Sequence, residues 1–552
     1  MSPSVIGAMH GGAQYEALVQ RGLEAMRDGR PADAEAAFAQ IASDNPKEHR
    51  AWHMLAVIAL NAARPHDAVG FAQRAVQHDR RNPAYRSTLG VAAAECGSFD
   101  EAIGHFRRAL REKPGFVDAS YNLGKTLVKT GDLKGACDAY RRALAFDPRH
   151  PGLRKNLAWV LRELGRLDEA IALLERASAE SPDDDDLLEH LADAHGERSG
   201  TGAALAAYRA AIERLATSAL LHVGHARLLL ARGEWRQGWL EYLWRDFVPR
   251  ASLSDRAGSA SGPGGSAPLP QWGSLARDLS GMRARLIAEQ GLGDVLFFLR
   301  FAPELKRLGA SLRLECPPKL VALLKQSPFF DEIRPAEGAP PGEPVGGPPA
   351  FLGDLPVLLG AETAPPALPL AADPERVDRC RAMLARHGEP PFVGISWRAG
   401  TDPRDPEFGR RLDALSKQIE PEVLAAALDR IPGTLVVLQR RPRPEELAAL
   451  AKRLGRTLPD LSELNEDLEE MVALLSALDE YVGVSNTNMH LAAGVGRTAR
   501  VLVPYPPEWR WMEAGDESPW FPGFKVYRQS IARSWSEALA RLRTDLLAGG
   551  GP

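Results

Sequence analysis

Three short stretches in the second half of this 552-residue chain carry acidic, basic or hydroxyl side chains, two of them together with glycine. They are Glu289-Gln290-Gly291-Leu292-Gly293-Asp294, then Val393-Gly394-Ile395-Ser396-Trp397-Arg398-Ala399-Gly400-Thr401, then Val484-Ser485-Asn486-Thr487-Asn488-Met489-His490. In the first, Gly291 and Gly293 let the backbone come close to a ligand. Asp294 opens the following helix, where it serves either as a helix cap or as an acid-base group. The second stretch is followed by Arg404, Arg410, Arg411 and Lys417, cations that either decorate a solvated face or hold phosphate. In the third, the small polar side chains of Ser485, Asn486 and Thr487 run into a helix whose first N–H groups are free, a common cradle for an anion. His490, one turn into that helix, either lines the same pocket or belongs to the core.

All three stretches follow runs with strand composition, and ligands of open parallel sheets bind beyond the carboxyl ends of the strands. Strands are expected at 285–288, 312–315, 392–397, 435–438, 481–484 and 500–503, alternating with helical stretches as βα units do. The Pro/Gly-rich stretch 335–349 and the segment 386–391 are expected to break this region into two α/β lobes facing a cleft. A C-terminal helix over about 534–547 should return to brace the lobes. Trp509 and Trp511 form either an aromatic wall for a ligand or a structural brace.

The first half has a different grammar. Small residues recur every 34 positions, at Ala34, Ala68, Ala102, Ala136, Ala170, Ala204 and Gly238, with a second series at Gly22, Ala56, Gly90, Gly124, Ala158, Ala192 and Ala226. Bulky residues such as Phe38, Phe106, Tyr140, Leu174, Tyr208 and Tyr242 fall between them, and Gly29, Gly97, Gly131, Gly165 and Gly233 mark turns. Prolines 46, 114, 148 and 182 close several units. Two small positions per unit imply two tightly crossing helices. The pattern resembles the tetratricopeptide repeat, as seven units over 15–251. Such units bury their apolar faces only against neighbours, so the resemblance implies an α-solenoid whose concave face holds a protein or peptide. A spacer or dimerisation arm is the alternative. The run Asp183 to Asp186 reads as the acidic start of a helix after Pro182.

Composition sets the outer bounds. Apolar content of 45% and charged content of 25% are ordinary for a globular protein, and a formal net charge of −4 gives no reason to expect nucleic acid or an anionic membrane as partner. The N-terminus has no basic run or apolar core of a signal peptide, and no segment approaches about eighteen uninterrupted apolar residues, so a cytoplasmic protein without membrane insertion is expected. The four cysteines, Cys96, Cys137, Cys316 and Cys380, form no disulfide or zinc pattern. Residues 250–270, rich in Ala, Ser, Gly and Pro, read as a flexible joint.

Taken together, EQGLGDVLFFLRFAPELKRLGASLRLECPP, VGISWRAGT and VSNTNMHLAAGVGRTARVLVPYPPEWRWM resemble the catalytic half of bacterial proteins that join tetratricopeptide repeats to a heptosyltransferase-like GT-B glycosyltransferase of family nine and its relatives. The resemblance continues through DESPWFPGFKVYRQS, and the last repeat, GEWRQGWLEYLWR, has the Trp-rich form seen before the transferase in such proteins. It implies a solenoid followed by two Rossmann-type lobes: an N-terminal tail (1–14), repeats (15–251), a linker (252–270), an acceptor lobe (271–388), a donor lobe (389–530) and a C-terminal helix and tail (531–552). It also implies a sugar moved from a nucleotide-sugar donor to a protein held by the repeats, flagellin among the candidates. Alternatives are a silent scaffold, or an enzyme acting on a lipid-linked or surface glycan. By the same resemblance Asp294 is the general base on the acceptor hydroxyl and Lys417 holds the donor phosphates. Arg398, Ser396, Ser485, Asn486, Thr487 and His490 line the donor site, and no metal or other cofactor is implied. The family shows Asp-Thr followed four residues later by His, whereas this chain has Ser485-Asn486 and then His490, which points to a donor other than ADP-heptose, a CMP-linked nonulosonic acid being one candidate. The O-GlcNAc transferases also place these repeats before a GT-B domain, but their GYVS-type strand motif is absent here.

Overall fold

In the computed structural model the described residues are 3–247, 273–274, 278–336, 349–399 and 417–548. They form a helical solenoid followed by a region of two parallel sheets with flanking helices. The chain divides into two compact units, one up to Ala194 and one from His195 onward.

Fourteen helices make seven pairs: α1 (Pro3–Arg27) with α2 (Pro31–Asp44), α3 (His49–Asn61) with α4 (Pro65–His78), α5 (Pro83–Glu95) with α6 (Phe99–Glu112), α7 (Val117–Lys129) with α8 (Leu133–Phe146), α9 (Pro151–Glu163) with α10 (Leu167–Glu180), α11 (Asp185–Ser199) with α12 (Thr201–Arg214), and α13 (Ala219–Ala231) with α14 (Trp235–Tyr242). Of the expected tail, 1–14, residues 3–14 form the first turns of α1. The two small-residue series explain the pairing. A Cβ built on Gly22, Gly90 or Gly124 would lie 2.8, 2.7 or 2.3 Å from the ring of Phe38, Phe106 or Tyr140. Each bulky side chain of a second helix thus fills the gap left by a missing side chain on the first. The turn glycines adopt φ between +68° and +83°, a region that costs an L-residue roughly 1–2 kcal/mol. The second pair lacks the glycine, and Ala63 takes the same conformation at φ +54°. The acidic run is a helix start as expected: Asp184 accepts from Leu187 N at 3.1 Å, and Lys155 pairs with Asp186 at 2.8 Å.

Beyond the repeats, β1 (Arg283–Ile287), β2 (Ser311–Cys316), β3 (Glu332–Pro335) and β4 (Pro349–Phe351) form one parallel sheet in the order β3-β2-β1-β4. Its helices are α15 (Leu292–Phe298), α16 (Ala302–Arg307), α17 (Pro318–Leu324) and α18 (Leu355–Leu359). A second parallel sheet has the order β6-β5-β7-β8-β9, from β5 (Phe392–Ile395), β6 (Thr434–Val437), β7 (Glu480–Val484), β8 (Arg500–Val503) and β9 (Lys525–Arg528). With it run α19 (Pro374–Ala385), α20 (Pro421–Leu428), α21 (Pro444–Leu454), α22 (Leu468–Ala477), α23 (Thr487–Gly494) and α24 (Ser536–Leu547). Among the described residues no helix is long and apolar enough to cross a membrane.

Four expectations are corrected. The stretch 335–349 does not divide the lobes, because β3 ends at Pro335 and β4 starts at Pro349 on opposite edges of the same sheet. The chain reaches the second lobe before residue 388: Leu370 N donates to Gly494 O at 2.8 Å, and α19 packs on α22 with Arg376 paired to Glu470 at 2.7 Å. Helix α24 buries Leu539, Leu542 and Leu546 against the second sheet and α20 only, so it does not brace both lobes. The brace comes instead from Trp520, whose carbonyl accepts from Arg300 at 2.8 Å and whose ring lies 5.2 Å from Phe297 of the first lobe. Finally, the last repeat is not packed apart from the lobes. Leu230, Trp239 and Tyr242 belong to the same core as Leu286, Phe298 and Trp509, while residues 252–270 lie outside the described ones.

Within α13 and α14, His222 Nδ1 meets the Glu241 carboxylate and stacks on Trp244 at 4.2 Å. Burial opposes protonation of His222, but Glu241 outweighs it and raises the pKa above the ordinary value. Glu241, against its own burial, is held down to about 2 by the two histidines.

Two predictions follow from this packing. Gly124→Ala should destabilise the chain by roughly 1–3 kcal/mol through the clash with the buried Tyr140 ring, while Gly104→Ala, which meets nothing within 4 Å, should stabilise it by up to about 1 kcal/mol; urea midpoints read both. The His222–Glu241 stabilisation should be complete below the unfolded histidine pKa of about 6.5 and fade as pH rises through the raised folded value. The Tm gap between the unmodified chain and Glu241→Gln should therefore narrow from pH 6 to pH 9, and a constant gap would refute the pairing.

Candidate active site

The carboxyl ends of β1, β7 and β8 bring together side chains from both lobes. Asp294 is the third residue of α15. The helix is capped by Gly291 without a side-chain bond, so Asp294 is not its cap. Its carboxylate, 36% exposed, is paired with the guanidinium of Arg510. Arg510 lies in the segment after β8 and also pairs with Glu508. Glu508 in turn accepts from Ser485 Oγ at 2.8 Å and from Lys417 Nζ at 2.8 Å. The result is an alternating row of charges, Lys417, Glu508, Arg510, Asp294, that runs from one lobe to the other. Burial opposes the charge of Glu508, but Lys417 and Arg510 outweigh it and hold the carboxyl well below the usual range. Arg510 is likewise kept charged despite its burial by Asp294 and Glu508, and its guanidinium lies over the rings of Trp509 and Phe297 at 4.3 and 4.8 Å.

His490 lies beneath this row. Burial, then the charges of Arg510 and Arg300, push its pKa well below the ordinary value, so it is neutral. Its ring packs on Phe521 at 5.3 Å, and a Cβ on Gly293 would come within 3.3 Å of it. Glycine at 293 is thus what lets the start of α15 close on the start of α23, where Thr487 lies 3.7 Å from the same point. Near the corresponding point on Gly291 lies the Asp294 carboxylate, with Oδ2 at 3.6 Å.

Of the residues singled out from sequence, Asp294, Gly291, Gly293, Lys417, Ser485, Thr487 and His490 gather here, with Asn486 at the edge. Asn486 caps α23 by accepting from Asn488 N at 3.0 Å, and its amide donates to Ser396 Oγ at 3.0 Å. Two residues lie deeper than expected. Ser396 is fully buried and bonded to Tyr481 OH at 2.9 Å, where it supports the Asn486 cap. Arg398 is 4% exposed and paired with Glu446 of α21 at 3.2 Å, which makes it a structural cation of the second lobe. Trp509 and Trp511 are buried among Trp239, Phe297, Trp520 and Phe521, the structural alternative. Gly400, Thr401, Arg404, Arg410 and Arg411 lie outside the described residues. The residues missed were Glu508 and Arg510. They sit beyond the carboxyl end of β8, the position that selected the other loops, and two unlike charges separated by a tryptophan were the available signal.

Comparison with known proteins bears on the helical half. Models of the tetratricopeptide repeat match residues 25–90 and 130–193, and a second such model matches 87–151. Residues 25–193 are tetratricopeptide repeats. Such repeats make this part of the chain a protein-interaction scaffold. The chain is 28% identical to the protein FlbA of Caulobacter vibrioides over 351 residues; the match takes in 59% of this chain and only 55% of FlbA. Among solved structures, a tetratricopeptide repeat protein from Parabacteroides merdae is 18% identical, with a TM-score of 0.37 over 44% of this chain and 95% of its own. YrrB, a repeat protein with an unusual peptide-binding site, is 22% identical, with a TM-score of 0.30 over 34% of this chain and 95% of its own.

The buried and exposed cations should respond differently to removal. Arg398→Ala strips one partner from the buried Glu446 and should lower stability by about 3 kcal/mol, whereas Lys417→Ala breaks a partly exposed pair and should cost no more than about 1 kcal/mol. Urea unfolding of both variants decides it, and equal small losses would return Arg398 to the ligand site.

Proposed function

We propose that the chain is a glycosyltransferase that moves a sugar from a nucleotide-sugar donor to a protein acceptor held by the repeats, with flagellin among the acceptors to test. The observation that carries this reading is the row of four charges at the strand ends of two parallel-sheet lobes. At one end is a carboxylate exposed enough to meet an acceptor hydroxyl. At the other is a partly exposed ammonium beside the N-terminus of α23. In the proposed step the acceptor oxygen attacks the anomeric carbon and its proton passes to the Asp294 carboxylate. The bond between that carbon and the donor phosphate breaks, and the leaving phosphate takes the charge of Lys417 in exchange for that ammonium's contact with Glu508. In this reading Lys417 supplies the positive charge that the departing phosphate needs, and no metal is invoked. Neutral His490 donates or accepts a hydrogen bond at the floor of the site.

A second reading is favoured by the same row. Every charge in it already has an opposite partner, and a site satisfied in this way is also what a silent scaffold would contain. Thermal shift of the purified chain against UDP, GDP, ADP, CMP and their sugar conjugates separates the two, since a ligand at a hundredfold excess over its Kd stabilises by roughly 2.7 kcal/mol. One nucleotide class should raise the Tm, and Lys417→Ala should remove the effect. Asp294→Asn should keep the stabilisation and lose transfer by about a hundredfold or more. No response to any nucleotide, with the repeats still capturing a protein, would establish the scaffold.

A further inference from the structure

The last repeat reaches into the centre just described. Arg245, in the turn that follows α14, is 4% exposed. Its Nη2 donates to Glu289 Oε1 at 3.0 Å and to Asp354 Oδ1 at 2.6 Å, and its Nε to the same Glu289 oxygen at 3.2 Å. Gly353 is glycine because the guanidinium fills the place of a side chain: a Cβ there would lie 2.6 Å from Arg245 Cζ. Tyr242, on α14, donates its hydroxyl to Gln290 Oε1 at 3.0 Å. Burial and the nearby Asp294 charge push its own pKa up to about 12, so it stays a donor. Glu289 and Gln290 are the two residues just before Gly291. The repeat therefore holds both side chains that precede the glycine turn leading to Asp294.

The same repeat touches the opposite side of the site. The Trp239 ring lies 5.9 Å from Phe298 of α15 and 5.3 Å from Trp509, the neighbour of both Glu508 and Arg510. Thus α14 contacts the helix that carries Asp294 and the segment that carries its partner. A turn with glycine at 291 and 293 has little intrinsic preference for one conformation, while a reacting carboxylate must be placed to within about 0.5 Å. A spacer would need none of these polar bonds, since buried hydroxyl and guanidinium groups cost free energy unless they are met.

We infer that Tyr242 and Arg245 are positioning residues for the proposed transfer, holding Glu289 and Gln290 so that Asp294 is presented to the acceptor oxygen. The seventh repeat is in this sense part of the catalytic domain. The inference rests on the glycosyltransferase reading, and its test separates the two.

The test uses the full chain, with Tyr242→Phe, which keeps the ring, Gln290→Leu, which removes the acceptor, and the double variant. Three quantities are measured: kcat and donor KM with whichever nucleotide sugar stabilises the unmodified chain, amide hydrogen exchange across 288–294, and the urea midpoint. Tyr242→Phe should lower kcat roughly tenfold while donor KM stays within about twofold, and should speed exchange in the loop. Gln290→Leu should do the same, and the double variant should be no worse than either single one, because the pair acts as a unit. A merely structural tyrosine would lower the urea midpoint and leave kcat per folded molecule unchanged, which overturns the inference, as would unaltered loop exchange. An unmodified chain without turnover on any donor overturns the transferase reading; the exchange data then still report whether the repeat holds the loop.

Discussion

Arg510 is buried where the two lobes meet, and its guanidinium is answered by two carboxylates. One comes from each side: Asp294 from the first lobe and Glu508 from the segment after β8. An isolated buried charge costs far more than any single hydrogen bond returns, so the position of the lobes at this point is tied to the pairing. It also bears on the protonation of Glu508 and His490. Glu508 is ionised because Arg510 and Lys417 flank it, and His490 is neutral because Arg510 and Arg300 surround it in a site where burial already disfavours a third cation. Arg300 shows the same pressure, its pKa drawn down to about 9 by burial and by Arg510, with only carbonyls as hydrogen-bond partners.

The helical half obeys a simpler constraint. Two helices can cross closely only where one of them carries a small residue, and the 34-residue recurrence of alanine and glycine writes that condition into the sequence. The last pair obeys it too, with Gly238 against Leu230 at 2.8 Å from a would-be Cβ. Its outer surface departs from the pattern, because Trp235, Trp239, Tyr242 and Arg245 face the lobes. An aromatic-rich terminal repeat is what a solenoid needs in order to end inside another core.

Sequence reading succeeded where a physical requirement is local. Turn glycines, the small and bulky series and the apolar strands β1, β2 and β5 to β8 all lie in stretches whose composition demands them. The missed strands are β3, β4 and β9, each three or four residues long, carrying Pro or charged residues, and each on a sheet edge where one side of the ladder is unpaired. Such strands have little compositional signal of their own. The loops that carry Asp294 and Ser485 could be located in the sequence, because they directly follow strands whose composition marks them. Partners could not be read. Glu446 lies 48 positions from Arg398, and Glu508 lies 23 from Ser485, so only the folded chain separates a cation that is spent on the structure from one that faces the cleft.

The serine at 485 is explained by the same network. In the family this stretch resembles, an aspartate holds that place, and its loss reads in sequence as the loss of a carboxylate. In the folded chain Glu508 brings a carboxylate within 2.8 Å of the Ser485 hydroxyl and within 2.8 Å of Lys417. An aspartate at 485 would set two anions side by side in a buried site, where like charges cannot both remain ionised. A hydroxyl instead donates to Glu508 and leaves the carboxylate free to meet both cations. The carboxylate beside Lys417 is thus supplied by the segment after β8, and a neutral serine is the side chain that this arrangement admits at 485.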